Sequence, residues 1–401
     1  MTRLKEKKQI NGLALLLAAT YMVSYMTRIN YGAVISEIEA VTGISRALLS
    51  MAVTGSFITY GAGQIVSGLF GDMFSPKKLV SYGLITSALM NFLIPVCKSP
   101  YVMLIVWCIN GFAQSFMWPP IVKMMTALLS EEDYKRTTVK VSWGSSFGTI
   151  AIYLISPLII SMFGWRAVFL FSAICGTVMI FVWNRFSYDI DADKSTAVRK
   201  FKKSETNTFL TPVMICIMAA IILQGMLRDG VTTWMPSYIA QTYNMSNIIS
   251  ILTGVVLPIF SILCFQLASM LYRKTFTNPM MCAGMIFLAG TVSAFALFMI
   301  SGRNAALSVL LSALLTGCMH GVNLILICMI PSFFKKTGNV STVSGVLNSC
   351  TYVGSAISTY GIASLSEKIG WEFTLFTWIL ISGAGTVFCL CSVRPWKKRM
   401  D

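Results

Sequence analysis

Long apolar segments recur along the whole chain and are separated by short polar stretches. A helical apolar segment of about 20 residues is long enough to cross the roughly 30 Å of hydrocarbon in a lipid bilayer. The pattern predicts twelve such spans, at residues 11–35, 47–70, 78–97, 101–129, 138–162, 165–187, 209–241, 247–272, 277–300, 304–330, 340–364 and 371–393. The sequence therefore predicts an all-α membrane protein with twelve transmembrane helices.

The composition supports this class. Of the 401 residues, 56% are hydrophobic and 11% are charged, and the mean hydropathy is +0.73. A soluble domain is usually about 25% charged. The net charge of +16 could indicate a nucleic-acid partner, but the basic residues are distributed as in a membrane protein. We expect a lipid bilayer around the chain and no nucleic acid.

The basic residues also predict an orientation. When the loops are assigned alternately to two sides, 22 of the 31 Lys and Arg residues fall on one side and five on the other. The positive-inside rule then predicts that both termini lie in the cytoplasm. We expect the protein in the cytoplasmic membrane of the cell. The remaining four basic residues lie within predicted spans: Arg28, Lys123, Lys140 and Arg228.

An internal repeat is visible in two glycine pairs. Gly148 of the fifth span and Gly354 of the eleventh are 206 residues apart, and the same separation holds for Gly164 and Gly370, each of which precedes a tryptophan. Small residues within spans allow helices to approach closely. We predict two pseudo-symmetric six-helix halves, residues 1–187 and 209–401.

The polar segment 188–208 would join these halves as a solvated cytoplasmic linker. The eleven cysteines lie mostly in apolar spans, without the spacing of a disulfide framework or a zinc site. No phosphate-binding loop for ATP is present. We therefore expect no metal, no cofactor, no catalytic residue and no enzymatic activity, and we expect a monomer.

The first predicted span carries a charged residue among polar aromatics. Tyr21, Tyr25, Arg28 and Gly32 are spaced by four, three and four residues, so they share one helical face. A charge within a bilayer costs from about 2.5 kcal/mol upwards and usually faces a cavity with a function. A guanidinium beside tyrosine hydroxyls suits a phosphate or carboxylate, which it can bind with two parallel hydrogen bonds.

The seventh span carries a second arginine, Arg228, followed directly by Asp229. Consecutive side chains leave a regular helix about 100° apart, so we expect Asp229 to point away from Arg228. It could then pair with Lys123 or Lys140, lie on a proton path, or fasten two helices. These alternatives stay open from the sequence.

The loop after the second span carries a recognisable pattern. Gly68-Leu69-Phe70-Gly71-Asp72 is followed by Pro76-Lys77-Lys78, and this resembles the G-x-L-x-D…R/K-R/K loop of the major facilitator superfamily. The resemblance implies that Gly68 permits tight helix contact, that Asp72 pairs across the half and that Lys77 stays cytoplasmic. In such transporters the substrate binds near the midplane and the two halves rock about it.

Further motifs resemble a family within that superfamily. The seventh span reads L-R-x-G-x-x-x-W-x-P-x-Y from Leu227, and the fourth reads G-x-x-Q-x-x-x-W-P-P from Gly111 and continues to Lys123. With Tyr60 in the second span, these patterns resemble the organophosphate:phosphate antiporters, which include glycerol-phosphate and hexose-phosphate carriers. The resemblance covers nearly the whole chain.

In that family two arginines, from the first and seventh spans, hold the substrate phosphoryl group, and they match Arg28 and Arg228. The chain departs from the pattern around them. Gln64 replaces a lysine, Ser145 stands near the position of a histidine, and Asp229 follows the arginine where an aromatic is usual. The only histidine lies in the tenth span, as a packing residue, substrate contact or proton acceptor. The expected substrate-binding residues are Arg28, Arg228, Tyr21, Tyr25, Tyr60, Gln64, Ser145 and His320.

The resemblance implies a secondary active transporter that exchanges a phosphorylated metabolite for inorganic phosphate. Because Gln64 replaces a cation, symport of a carboxylate or another anion with protons is an alternative. A transporter-like sensor that binds an anion and signals to a partner is a second alternative. The expected partners are a small anionic substrate, with phosphate or protons as the coupled species.

Overall fold

The computed structural model describes residues 4–44, 46–190, 211–245, 253, 256–337 and 339–400. These residues are almost entirely helical and include no β-strand. Most of the predicted linker, 188–208, lies outside the described residues, as does the first part of the predicted span 247–272. The helices are long although Pro157 and Pro236 lie inside two of them, because backbone groups in hydrocarbon must be hydrogen-bonded within the segment itself.

The first seven α-helices are α1 Lys7–Thr42, α2 Arg46–Met73, α3 Pro76–Leu93, α4 Pro100–Gln114, α5 Trp118–Leu128, α6 Glu131–Phe163 and α7 Trp165–Phe186. The others are α8 Pro212–Tyr243, α9 Val256–Lys274, α10 Pro279–Ile300, α11 Ala305–Asn323, α12 Val340–Lys368, α13 Trp371–Cys391 and α14 Val393–Met400. A π-helix, Leu324–Met329, and a 3₁₀-helix, Ile330–Thr337, join α11 to α12.

Ten helical segments within the described residues are long and apolar enough to cross a membrane. They coincide with ten of the twelve predicted spans, so a multi-pass helical protein is confirmed. The other two predicted spans are the helices α2 and α12, of 28 and 29 residues. Both are long enough, but they are rich in glycine, serine and threonine, which makes them less apolar than the other ten.

The described residues form two compact units. Unit 1 comprises the described part of Met1–Ala197 together with Pro331–Ser349, and unit 2 comprises the described part of Val198–Ile330 together with Cys350–Asp401. The first residues of α12 therefore pack with unit 1, and its remainder packs with unit 2. Gly68 on α2 explains part of this division, because an added Cβ there would touch the backbone of Ser341, Thr342 and Gly345.

The core of unit 1 includes an aromatic cluster that joins α1, α4 and α7. The ring centroid of Tyr31 lies 5.2 Å from that of Trp107 and 5.8 Å from that of Phe169. Trp165 contacts Phe169 edge-to-face at 6.0 Å. All four side chains are buried, and such offset or edge-on arrangements add to the stabilisation from burial alone.

The glycine repeat has a structural basis in each unit. A Cβ on Gly148 would clash with the carbonyl oxygen of Met22 on α1, and a Cβ on Gly354 would clash with that of Ile222 on α8. Gly164 and Gly370 have φ angles of 76° and 101°, which favour glycine, at the turns before α7 and α13. The prediction that small residues permit close helix approach is confirmed.

Candidate functional site

Arg28 lies near the middle of α1, and its side chain is held against two tyrosine rings. The guanidinium carbon is 4.2 Å from the ring centroid of Tyr25 and 4.6 Å from that of Tyr60 on α2. Tyr21 packs against Tyr25 with a centroid distance of 5.2 Å. Arg28 is 8% exposed. The ring faces stabilise the cation by about 0.5–2 kcal/mol each, more when water is excluded.

A network of buried polar side chains fixes the turn of α1 that carries Arg28. The Ser24 hydroxyl donates to Gln114 Oε1 (2.5 Å), and Gln114 Nε2 donates to Thr27 Oγ1 (2.8 Å) and Ser87 Oγ (2.7 Å). Ser87 Oγ in turn donates to Asn110 Oδ1 (2.7 Å). Because these side chains are almost completely buried, each hydrogen bond avoids the cost of an unsatisfied polar group.

Two further amides extend this network along α1. Asn110 Nδ2 and Asn91 Nδ2 both donate to the Thr27 carbonyl, at 3.1 and 2.9 Å, and Asn30 Nδ2 donates to Asn91 Oδ1 at 2.7 Å. The network thus joins α1 to α3 and α4. Apart from Gln114, which belongs to the fourth-span motif, these residues belong to none of the motifs found in the sequence. Their only signal was the presence of polar side chains within apolar spans.

Two other expected binding residues lie in unit 1. Gln64 on α2 is completely buried; its Nε2 lies 3.4 Å from the Ser115 carbonyl, and its Oε1 has no hydrogen-bond partner within the described residues. Ser145 on α6 is partly buried and donates to the Ser142 carbonyl at 2.7 Å. The described hydrogen bonds of both side chains go to backbone carbonyls, so their contact with a substrate stays a prediction.

The acidic residue of the loop motif caps a helix. Asp72 accepts hydrogen bonds from the backbone N–H groups of Ser341 and Thr342, at 3.1 and 2.8 Å, and from the Thr342 hydroxyl at 2.7 Å. These N–H groups belong to the first turn of α12 and have no partner within the helix. Asp72 is 8% exposed. A carboxylate at this position also complements the positive end of the helix dipole.

The basic residues beside this motif bind helix C-termini. Lys123 Nζ donates to the carbonyls of Gly71 and Asp72, at 2.7 and 2.9 Å, where α2 ends. Lys77 Nζ donates to the Ser187 carbonyl at 3.2 Å, just beyond α7. Both ammonium groups therefore bind carbonyls left open at helix ends, where the dipole favours a cation.

Arg228 in unit 2 forms an ion pair with its neighbour Asp229. Arg228 Nε lies 2.7 Å from Asp229 Oδ1, and Nη2 lies 2.8 Å from Oδ2, so the contact is bidentate. Ser355 Oγ on α12 also donates to Asp229 Oδ2. The expectation that Asp229 points away, towards Lys123 or Lys140, is wrong. Although the two Cβ atoms diverge, the long arginine side chain can turn back to reach the carboxylate.

The ion pair remains partly accessible. The side chain of Arg228 is 13% exposed and that of Asp229 is 33% exposed. The helices α8 and α12 are in close contact around the ion pair. The approach is so close that a Cβ on Gly225 would clash with the Thr351 carbonyl and one on Gly230 would touch Ser358. The position of Asp229 against α12 is therefore well defined.

His320 lies one turn before the π-helix that follows α11. Its ring centroid is 5.4 Å from that of Phe265 on α9, in an edge-to-face arrangement, and the residue is partly buried. π-helical segments within α-helices often occur at functional sites. The packing against Phe265 is observed; a contact of His320 with substrate stays a prediction.

The sequence profile described as Major Facilitator Superfamily matches residues 17–359. The chain belongs to the Major Facilitator Superfamily. This superfamily consists of transport proteins rather than enzymes, and the predicted fold class of membrane-spanning helices is confirmed.

Curated relatives support the narrower resemblance. The chain is 28% identical over 188 residues to a probable hexose phosphate transport protein of Chlamydia muridarum. The aligned region covers 46% of this chain and 41% of the relative. The chain is 22% identical over 271 residues to the chloroplastic ascorbate transporter of Arabidopsis thaliana, and this aligned region covers 62% of the chain and 50% of the relative. The chain thus spans half or less of the length of these relatives. The predicted resemblance to organophosphate carriers of this superfamily is confirmed.

A solved structure of the proton:xylose symporter XylE supports the fold of the whole chain. The TM-score is 0.79, and the alignment covers 96% of this chain and 95% of XylE. At 12% sequence identity this likeness concerns the fold alone. Because the fold of a major facilitator protein serves many substrates, the substrate must be argued from the site.

Proposed function

We propose that the protein is a secondary active transporter of a small organic anion and works by alternating access. The observation that carries this proposal is Arg28, a guanidinium buried at the middle of a membrane-spanning helix and stacked on Tyr25 and Tyr60. Maintaining a charge there is costly, and intramembrane charges usually mark a substrate pathway. A guanidinium offers the planar donor pair that phosphates and carboxylates accept.

Arg228 is proposed to contact the same anion. It belongs to the second half of the repeat and also lies near the middle of its helix, α8. One cation from each half would let the anion interact with both halves during transport, as expected when a substrate binds near the membrane midplane. Tyr21, Tyr25 and Tyr60 would contribute hydroxyl groups and ring faces to the same site.

The substrate class we propose is a phosphorylated metabolite exchanged for inorganic phosphate. The support is the resemblance of the motifs around both arginines to organophosphate carriers, together with the relative named as a probable hexose phosphate transport protein. A carboxylate or other singly charged organic anion is a second candidate. It is favoured by the Arg228–Asp229 pair, which lowers the positive charge available to the substrate, and by the relative named as an ascorbate transporter.

The proposed organisation follows the sequence expectations. Residues 1–187 and 209–401 are proposed as the two moving halves, joined by the linker 188–208. We propose that the protein lies in the cytoplasmic membrane of the cell with both termini in the cytoplasm, and the basic residues in the loops support this orientation. We also propose that it is a monomer.

A competition screen tests the substrate class. Purified protein is reconstituted into liposomes loaded with inorganic phosphate, and entry of labelled phosphate is measured with hexose phosphates, other phosphate monoesters or carboxylates outside. We expect strong competition by one class of organic anion, and entry of that anion when it is labelled. Specific anion binding without entry of any labelled anion would contradict transport and favour an anion sensor.

A further inference from the structure

The Arg228–Asp229 pair suggests how the site distinguishes anions by charge, given the anion transport proposed above. We infer that Asp229 is a specificity-determining residue that occupies the bidentate face of Arg228 and favours singly charged over doubly charged organic anions. The preferred ligand is then a carboxylate or the monoanionic form of a phosphate monoester.

The geometry of the pair supports this role. Asp229 takes both Nε and Nη2 of Arg228, at 2.7 and 2.8 Å, which is the arrangement that a bound carboxylate or phosphate would itself adopt. Asp229 is thus an anion tethered to the chain in the place of a ligand. A substrate that approaches Arg228 must either displace this carboxylate or share the guanidinium with it.

Ser355 makes displacement less favourable. Its hydroxyl donates to Asp229 Oδ2 from α12, so three donors hold the carboxylate. The tight contact of Gly225 with Thr351 keeps α12 beside α8 at this level. The substrate therefore meets the arginine and aspartate together, as a nearly neutral pair.

The charge count then determines the preference. Arg28 and Arg228 would contribute two positive charges, and Asp229 subtracts one. A singly charged anion balances the remaining charge, whereas a dianion leaves one negative charge uncompensated in a region of low dielectric constant, where such an imbalance is unfavourable. The accessible part of Asp229, 33% of its side chain, would repel the second charge directly.

A purely structural role for Asp229 predicts a different result. If the carboxylate only fastened α8 to α12 through Ser355, its removal would lower the stability of the protein and would weaken the binding of all anions by the same factor. If Asp229 selects by charge, its removal changes the ratio of affinities for dianions and monoanions. The ratio is therefore the informative measurement.

The test uses two probes that share a sugar frame. A hexose 6-phosphate carries about two negative charges at pH 7.5, because the second pKa of a phosphate monoester is about 6, and a hexuronate carries one. Their dissociation constants are measured for the wild type and Asp229→Asn, with folding monitored by size-exclusion chromatography and thermal unfolding. We expect the affinity for the phosphate relative to the hexuronate to rise about tenfold or more in the variant.

Three further variants make the result specific. Asp229→Glu keeps the charge and is expected to keep the wild-type ratio. Ser355→Ala loosens the carboxylate and is expected to shift the ratio in the same direction as Asp229→Asn, by a smaller factor, which provides a reading if Asp229→Asn does not fold. In the double variant Arg228→Gln/Asp229→Asn the increase in relative affinity for the phosphate should disappear, because that increase depends on the guanidinium released from Asp229.

The matched control is Glu372→Gln, which removes an exposed acid in the first turn of α13. Its ratio should equal that of the wild type. An unchanged ratio in folded Asp229→Asn, or an equal shift in Glu372→Gln, would overturn the role of Asp229 while leaving anion transport intact. If the wild type neither binds nor exchanges either probe, the proposed function and this inference both fail.

Discussion

At the scale of single residues, Arg28 is the side chain on which the proposed transport most depends. We expect Arg28→Lys to abolish anion exchange while the protein still folds and inserts. Lysine keeps the charge and can remain over Tyr25 and Tyr60, but it lacks the planar fork that binds an oxyanion through two parallel hydrogen bonds. Exchange is measured in liposomes and folding by thermal unfolding in detergent.

A matched control for this change is Arg166→Lys. Arg166 is exposed, stacks on Trp165 and donates through Nε to the Pro95 carbonyl at 3.1 Å, so it lies outside the proposed site. Its replacement should leave exchange near the wild-type rate. Exchange by Arg28→Lys at a rate similar to that of Arg166→Lys would contradict the proposed role of Arg28.

The sequence showed which residues could bind an anion but only part of how they are held. The four-residue spacing of Tyr21 and Tyr25 was sufficient to place them on one side of α1, and their ring contact is observed. The partner of Asp229 was mispredicted, because helical periodicity fixes the direction of Cβ and not the reach of a long side chain. The partner of Ser24 is Gln114, 90 residues away, and no local pattern reveals such a contact.

At the scale of helices, close packing at glycine makes a testable contrast within α12. We expect Gly354→Ala to destabilise the protein by about 1–3 kcal/mol, because the new Cβ would clash with the Ile222 carbonyl on α8. Gly361→Ala is the control on the same helix, since a Cβ there meets no described atom within 4 Å. The free energy of unfolding of Gly361→Ala should be unchanged or should rise by up to about 1 kcal/mol, because alanine has the higher helix propensity.

Thermal unfolding of both variants in detergent provides the comparison. A lower midpoint for Gly354→Ala and an unchanged or higher midpoint for Gly361→Ala is the expected result. Equal midpoints for the two variants would mean that the α8–α12 contact relaxes to accommodate the methyl group.

The cap on α12 makes a second prediction at this scale. Asp72→Ala removes the acceptor for the N–H groups of Ser341 and Thr342 and should cost about 0.5–2 kcal/mol, the usual range for a lost helix cap. Glu131→Ala is the control, because its contact with Lys135 is an exposed pair of the i,i+4 type, worth at most about 0.5 kcal/mol. Comparable losses of stability in the two variants would contradict the capping role.

The positions of the helices could be predicted from the sequence, whereas the packing of one segment of the chain could not. Apolar length is a local property, and within the described residues the predicted spans therefore fall on observed helices, including α2 and α12. The packing of Pro331–Ser349 with unit 1 depends on contacts of Gly68 and Asp72 with a segment about 270 residues away. The loop motif predicted that Gly68 and Asp72 would make close contacts, but it did not identify α12 as their partner.

At the scale of the whole molecule, membership of the Major Facilitator Superfamily rests on the profile match over residues 17–359, and the likeness to XylE concerns the fold. These comparisons establish a family of transport proteins and leave the transported anion as a proposal. The proposed anion chemistry depends on the two arginines, Arg28 and Arg228, one in each half of the repeat.

Counterflow of a labelled anion tests this account most directly. Liposomes that contain the wild-type protein are loaded with an unlabelled hexose phosphate, and entry of the same labelled compound at low concentration is followed over time. We expect a transient accumulation of label above its outside concentration, which is absent in empty liposomes and in Arg28→Lys. Specific binding of the hexose phosphate without any counterflow of it would contradict the proposed transport.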